Sequence, residues 1–337
     1  MMDTPSGDPR LTALADWLRG ELHTDRFTLS RASEDASFRR YFRVAQDDRT
    51  LIAMDAPPPM ENCRPFVQVA QLLRDAGVHA PEVHARDLDR GFLLLEDLGT
   101  VTYLARLDAS NAPALYLDAI DALIRFQATS SEGVLPAYDE PLLRRELELF
   151  PDWYVARHVG RALDEKQRAA LDGVFARVLA NNLAQPRVFV HRDYHSRNLM
   201  ACEPNPGVLD FQDAVYGPVT YDLVSLLRDA YVSWDEERQI DWAVRYWERA
   251  RRARLPVDND FAVFWRDFEW MGVQRQLKVL GIFARLAHRD AKRSYLDDMP
   301  RVMAYLRAAC RRYDDLAPLL RLVDAIEGRP HVAATTF

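Results

Sequence analysis

The segment from Val188 to Asp213, V-F-V-H-R-D-Y-H-S-R-N-L-M-A-C-E-P-N-P-G-V-L-D-F-Q-D, constrains this chain more than any other. A short apolar strand, Val188-Phe189-Val190, runs into a polar loop that offers Asp193 and then Asn198. A second apolar run, Val208-Leu209, leads to Asp210. One carboxylate able to take a proton is thus followed by two oxygen ligands suited to a hard cation. Phosphoryl transfer from a nucleoside triphosphate requires such a set: a base near the acceptor hydroxyl and metal ions on the phosphate oxygens. A loop anchored between two strands also fixes its side chains better than a free one. Two other readings stand beside this one. The segment could be an ordinary polar turn. Alternatively, His191, Asp193 and His195 could form a metal site, because alternate residues of an extended segment share a face. That second alternative leaves Asn198 and Asp210 without a purpose.

Composition narrows the class. At 337 residues the chain exceeds one small domain and suits two lobes. The net charge of −7 argues against a general nucleic-acid binder, yet a local cluster of arginines could still hold an anion. Cys63, Cys202 and Cys310 are distant from one another and odd in number, which fits a reducing compartment without disulfides. No run approaches the length of a membrane span, and the polar N-terminus lacks the apolar core of a signal peptide. The expectation is a cytoplasmic enzyme with no membrane and no obligate protein partner.

Lysine occurs only at Lys166, Lys278 and Lys292, and no glycine lies between Gly20 and Gly77. A P-loop is therefore excluded, as is a glycine-rich phosphate loop of the protein-kinase form. The strand lysine that grips ATP in kinases is absent as well.

The hydrophobic pattern divides the chain at a hinge. Asp8-Pro9 reads as a helix cap and first position, followed by Leu11, Leu14, Leu18 and Leu22 at helical spacing. Residues 27–31, 38–44 and 50–55 read as short strands, 63–76 as a helix, and 92–95 as a buried strand. Glu96-Asp97-Leu98-Gly99 follows as the hinge. Beyond it, helical periodicity covers 111–130, 141–158, 163–182, 220–231, 235–254, 258–287 and 299–325. The tail after Gly328 reads as frayed. The predicted fold class is α+β: a small N-terminal nucleotide-binding lobe with a sheet, residues 1–97, and a larger mainly helical catalytic and substrate-binding lobe, residues 98–337.

The loop motif H-R-D-Y-H-S-R-N-L resembles the catalytic core of the aminoglycoside phosphotransferase and choline kinase-like family, small-molecule relatives of protein kinases. Further stretches are similar to one branch of that family: Asp35–Arg43, Met54–Pro58, Leu93–Thr100 and Tyr216–Asp229. The branch comprises kinases that phosphorylate the anomeric hydroxyl of N-acetylmuramate and N-acetylglucosamine in bacterial cell-wall recycling. The resemblance runs from about residue 10 to 315. It implies a protein-kinase-like two-lobed fold with an antiparallel N-terminal sheet, ATP and Mg²⁺ as cofactors, and a small amino sugar as acceptor. An acceptor of another kind, such as an aminoglycoside, choline or another amino alcohol, stays open, as does a nucleotide-binding module without turnover.

Roles follow residue by residue. Asp193 is the candidate base, and Asn198 with Asp210 the candidate Mg²⁺ ligands. The resemblance makes Asp222 a buttress of the catalytic loop, joined by Arg228 and Asp229, while His191 is read as a packed, hydrogen-bonded residue that shapes the loop. It also places Ser33 and Ser37 in the loop that covers ATP, and assigns adenine recognition to backbone groups around Glu96 and Leu98. Arg39 and Arg43 share one strand face, and an arginine of that group is expected to replace the missing lysine. A set of solvated charges on an edge strand is the other reading of these arginines. His195, Arg197, Gln212, Trp234, Glu269 and Gln274 are the candidate sugar contacts, since amides, carboxylates and aromatic faces suit sugar hydroxyls and ring faces.

Overall fold

Asp8 opens the first helix by accepting the backbone N–H groups of Arg10 and Leu11 at 3.0 and 3.1 Å, and Pro9 fills a first-turn position where no N–H is needed. The helix, α1, spans Pro9–Leu22 and buries Leu14, Ala15, Trp17 and Leu18, the face that the leucine spacing predicts. These details come from a computed structural model, which describes residues 8–33, 38–58 and 60–328. The chain divides into two units: residues 1–102 with 199–213, and residues 103–198 with 214–337.

The first unit is built on five strands: β1 (Thr28–Ser33), β2 (Arg40–Gln46), β3 (Arg49–Asp55), β4 (Val83–Asp87) and β5 (Phe92–Glu96). They form one antiparallel sheet in the order β1-β2-β3-β5-β4. Phe42 pairs with Ala53 and Ala53 with Leu94 across three neighbouring strands. Period-two alternation puts this row on one face, where it joins Val44, Phe92 and the buried side of α1 in a single apolar cluster. β5 is buried on both faces, as its unbroken apolar run predicts. β4 was not among the predicted strands, because V-H-A-R-D is short and holds only Val83 and Ala85 as apolar residues; it is an edge strand with His84 and Arg86 outward. Between β3 and β4, α2 spans Arg64–Asp75.

Asp55 at the end of β3 is fully buried, and the Nε atoms of Arg10 and Arg40 each donate to it at 2.9 Å. Arg40 is thereby bound into the fold and is no solvated edge charge. A short hairpin, Leu199–Met200 with Gly207–Val208, completes this unit from far along the chain. Val208 N–H donates to the carbonyl of His79 and Ala201 N–H to that of Val101, both at 2.8 Å. A Cβ at Gly207 would meet Cys202 Sγ at 2.7 Å and Leu98 Cδ1 at 2.8 Å, so a larger residue there would have to displace both side chains.

The second unit is mainly helical: α3 (Tyr103–Arg106), α4 (Ala112–Ala128), α5 (Glu140–Leu149), α6 (Glu165–Ala184), α7 (Tyr221–Leu227), α8 (Glu236–Arg252), α9 (Phe261–His288), α10 (Met299–Arg312) and α11 (Ala317–Glu327). Two of the predicted helices are not continuous. The 141–158 stretch leaves the α form at Phe150 and continues to Val159 with the wider π spacing. Pro151 at that junction has no N–H for the usual i−4 bond. The 299–325 stretch breaks at Tyr313, where the backbone extends before a short turn and α11 begin. The predicted 220–231 helix stops at Leu227. Among the described residues no helix is long and apolar enough to cross a membrane.

The strands Arg187–Val190 and Val215–Pro218 pair antiparallel in this unit. The first leads into the polar loop at His191, and the second leads into α7. α9 is buried nearly all round. Its closest backbone approach is at Gly281, where a Cβ would lie 2.4 Å from the carbonyl carbon of Leu149.

Candidate functional site

The loop from His191 to Asn198 is pinned by buried carboxylates. Asp222, in the first turn of α7 and fully buried, accepts the backbone N–H groups of His191 and Arg192 at 2.6 and 2.9 Å. Asp229 Oδ2 accepts the N–H of Ser196 at 2.9 Å. Glu146 takes the Arg192 guanidinium at 2.5 Å, holding a residue whose backbone lies in the left-handed region at φ 77°. Inside the loop, Asp193 N–H donates to His191 Nδ1 at 3.2 Å, and the Asn198 amide NH₂ donates to the Asp193 carbonyl at 3.0 Å. His191 is thus a packed, hydrogen-bonded residue of the loop, and Asp222 buttresses it. Of the two residues expected to join Asp222, Asp229 does so, whereas Arg228 pairs with Glu269 at 2.9 Å.

Burial pushes the Asp222 carboxyl up, to about 6, against the opposing pull of His191 and of the two backbone amides. Asp193 moves the other way. Burial alone would raise it, but Lys278 first, then His195, Arg275 and Arg192, hold it far below the ordinary carboxylate range. It is an anion at any physiological pH.

Asp193 opens onto a cavity of about 120 Å³ within the second unit. Its polar lining is Asp193, His195, Arg275 and Lys278; Tyr231, Tyr295 and an apolar run of α9 from Val279 to Leu286 form the rest, with Ala230. Lys278 lies 3.2 Å from Glu146 and 3.0 Å from the Tyr221 hydroxyl. Burial favours its neutral form, but Glu146, Tyr221 and Asp193 outweigh that and keep the ammonium charged. The Arg197 guanidinium lies 3.7 Å above the Tyr231 ring, and Tyr231 meets His195 edge-on at 5.4 Å.

Of the expected sugar contacts, the structure brings His195 to the cavity and Arg197 to its aromatic wall. The others are committed elsewhere. Glu269 is fully buried against Arg228 and against Arg312 at 2.5 Å, with the Tyr313 hydroxyl donating to it at 2.7 Å. Gln274 donates to the carbonyl of Leu143 at 2.9 Å, and Trp234 donates its indole N–H to the Tyr116 hydroxyl at 2.9 Å. All three are thus hydrogen-bonded within the second unit. Gln212 lies in the first unit and donates to Asp210 Oδ1 at 2.8 Å. Sequence reasoning missed Arg275 and Lys278. The available signal was the appearance of two cations inside an apolar helix of a chain with only three lysines.

The remaining candidates belong to the first unit. Asp210 is exposed, at φ 61°. Arg43 binds the Asp97 carboxylate at 2.6 and 3.0 Å and the Gly99 carbonyl at 3.0 Å, which ties β2 to the Glu96–Gly99 stretch. Arg39 lies 4.0 Å from Glu61. Glu96 faces His79 at 3.2 Å and Leu98 is buried. Ser33 closes β1, while Ser37 and most of its turn lie outside the described residues, as does the tail beyond Gly328. Among the described residues no group of three His, Cys, Asp or Glu side chains is arranged to hold a metal, so His191, Asp193 and His195 do not form such a site.

Residues 28–258 match the phosphotransferase enzyme family, and the chain belongs to it. It is a phosphotransferase with a protein-kinase-like α+β fold: a five-stranded antiparallel sheet followed by a mainly helical remainder. Over 334 residues it is 51% identical to the N-acetylmuramate/N-acetylglucosamine kinase of Pseudomonas putida, covering 96% of this chain and 98% of that protein. It is 56% identical over 295 residues to the protein of the same name from Pseudomonas aeruginosa, covering 88% of this chain and 87% of the other. Among solved structures, choline kinase LicA from Streptococcus pneumoniae superimposes with a TM-score of 0.62 at 11% identity, covering 89% of this chain and all of LicA. The gentamicin complex of APH(2")-IIa gives 0.58 at 12% identity, covering 90% and 97%. At such identities these two matches speak for the fold alone.

Proposed function

We propose that this enzyme transfers the terminal phosphoryl group of ATP to the anomeric hydroxyl of N-acetylmuramate and N-acetylglucosamine, amino sugars released from the cell wall, in the cytoplasm. The observation that carries the choice of acceptor is the cavity at Asp193. Its ionised lining is two cations, Arg275 and Lys278, against one carboxylate, Asp193. A choline, ethanolamine or aminoglycoside acceptor is itself a cation and would meet repulsion there. Two carboxylates of the same unit that could have met such a substrate are engaged elsewhere: Asp235 caps α8 by accepting Arg238 N–H at 2.9 Å, and Glu236 binds Arg312 at 2.6 Å.

In this reading Asp193 receives the anomeric O–H in a hydrogen bond and aims its oxygen at the γ-phosphorus. The new O–P bond forms as the bond to the β-phosphate oxygen breaks, ADP leaves, and the hydroxyl proton passes to Asp193 and on to water. An anion held so far below the usual range is a weak proton acceptor. Its main contribution is orientation, which suffices for an anomeric hydroxyl, more acidic than an ordinary alcohol. Asn198 and Asp210 are the residues that would hold Mg²⁺. Their chemistry fits: Asp210 is an exposed carboxylate, and Asn198 anchors its NH₂ on the Asp193 carbonyl, leaving oxygen as the acceptor end of its amide. When bound, the ion would neutralise charge on the triphosphate oxygens. Ser33, Ser37 and Arg39 would line the phosphates, with Arg39 in the role of the missing lysine, and backbone groups near Glu96 and Leu98 would meet the adenine.

The test is incubation with ATP, Mg²⁺ and each sugar, followed by phosphorus NMR. A 1-phosphate of both sugars is expected. Phosphate at another carbon, or turnover confined to choline or aminoglycosides, would reject the proposal.

A further inference from the structure

Burying a charge without a partner is expensive, so an exception points to a ligand. Besides Arg275, the buried cations of the second unit are Arg228, Lys278 and Arg307. Arg228 lies 2.9 Å from Glu269, Lys278 3.2 Å from Glu146, and Arg307 2.8 Å from Glu327. Arg275 is 5% exposed and has no carboxylate within ion-pair distance among the described residues. Its Nε is fully buried and makes no hydrogen bond. It lines the same cavity as Asp193.

We infer that Arg275 selects the acidic sugar: its guanidinium holds the carboxylate of the lactyl ether that N-acetylmuramate carries and N-acetylglucosamine lacks. The inference rests on the acceptors proposed above. A guanidinium offers paired N–H donors that match the two oxygens of a carboxylate. Lys278 is already engaged by Glu146 at 3.2 Å and by the Tyr221 hydroxyl at 3.0 Å, whereas Arg275, three residues and about 4.5 Å along α9 from it, lines the same cavity without a carboxylate partner among the described residues. The anion that completes it is therefore one the acceptor brings, on a ring carbon other than the reacting one. Tyr231 and Tyr295 supply flat faces for the ring and the ether methyl.

The experiment compares kcat/KM for the two sugars in the wild type, Arg275→Gln and Arg275→Lys. Arg275→Gln should lose about 10- to 100-fold on N-acetylmuramate, mainly through KM, the range of one charge-assisted hydrogen bond. Its loss on N-acetylglucosamine should be at least about 5-fold smaller. Arg275→Lys should recover part of the loss. Equal losses on both sugars would assign Arg275 to the phosphate or to the fold and overturn the inference, as would full activity on the acid. Should Arg275→Gln fail to fold, the wild type settles the question with the lactyl amide of N-acetylmuramate. The amide should be poorer than the acid by a similar factor, and a difference under about 2-fold would overturn the inference. Failure of the parent proposal is separate and visible first: the wild type would then form no 1-phosphate from either sugar.

Discussion

Asp193 and Asp222 are neighbours with opposite electrostatic fates, and the difference has measurable consequences. Asp193 is surrounded by cations and stays ionised, and under the proposed function it is a fixed anion that positions a hydroxyl. Replacing it with Asn keeps the shape but removes the charge. We expect kcat to fall by about 10²- to 10⁴-fold while KM for ATP changes little, as read by ADP release. An Asp193→Asn protein with full turnover would dismiss its role as the base. Asp222 is buried where its proton is retained up to about pH 6, above the ordinary value of 3.8. A carboxyl whose pKa is raised by folding stabilises the folded state below its unfolded pKa, and that stabilisation is lost as pH rises through the folded value. Between pH 4 and 6 the native state binds more protons than the unfolded chain, so this group contributes a fall in stability with rising pH of about 3 kcal/mol. Urea unfolding across that window should show the slope shrinking in Asp222→Asn. An unchanged slope would mean that the two backbone amides win over burial.

At the scale of elements, α9 decides what was legible. The polar loop between Val190 and Leu199 could be read directly as a loop, because its candidate residues are local in sequence and flanked by apolar strands. The sugar side could not. An amphipathic helix announces which face is buried, but α9 is buried nearly all round and offers no such stripe. Glu269 and Gln274 were chosen for their chemistry and proved to face neighbouring helices. Arg275, one residue and about 100° further round, faces the cavity. The π-helical stretch at Phe150 was equally hidden, since a proline marks a disturbed turn without saying how the chain recovers. α9 is also fixed from behind by the contact of Gly281 with Leu149. Gly281→Ala should force the two segments apart and cost about 1–3 kcal/mol, as overpacking does in cores. Lys278 and Arg275 lie on the same helix, so the variant should lose activity along with stability. Thermal unfolding and a kcat measurement check both, and an unshifted melting temperature would show that the backbone yields at no cost.

For the whole molecule, the chain passes from the first unit to the second after Thr102, a few residues beyond the change of hydrophobic pattern at Glu96–Gly99. The return of residues 199–213 to the first unit was not readable, because β-pairing across a hundred residues leaves no periodic trace. The segment is held there by backbone hydrogen bonds to His79 and Val101 and by the ring of Phe211 against Phe66, all long-range contacts. A fragment ending at Thr102 therefore lacks a hairpin that its own core requires. Expressed alone, residues 1–102 should unfold without a cooperative transition, whereas the same fragment fused to residues 199–213 by a flexible linker should regain one. Circular dichroism during urea titration distinguishes the cases, and cooperative unfolding of the bare fragment would refute the requirement.

That interleaving bears on recombination among relatives. A crossover near residue 102 would graft one parent's sheet onto another parent's Leu199–Val208 ribbon, placing a foreign neighbour against His79 and a foreign side chain over Gly207. Productive chimaeras should be those that inherit both stretches from one parent, so that a two-part inheritance rule, and not a single breakpoint, governs how this enzyme can be shuffled.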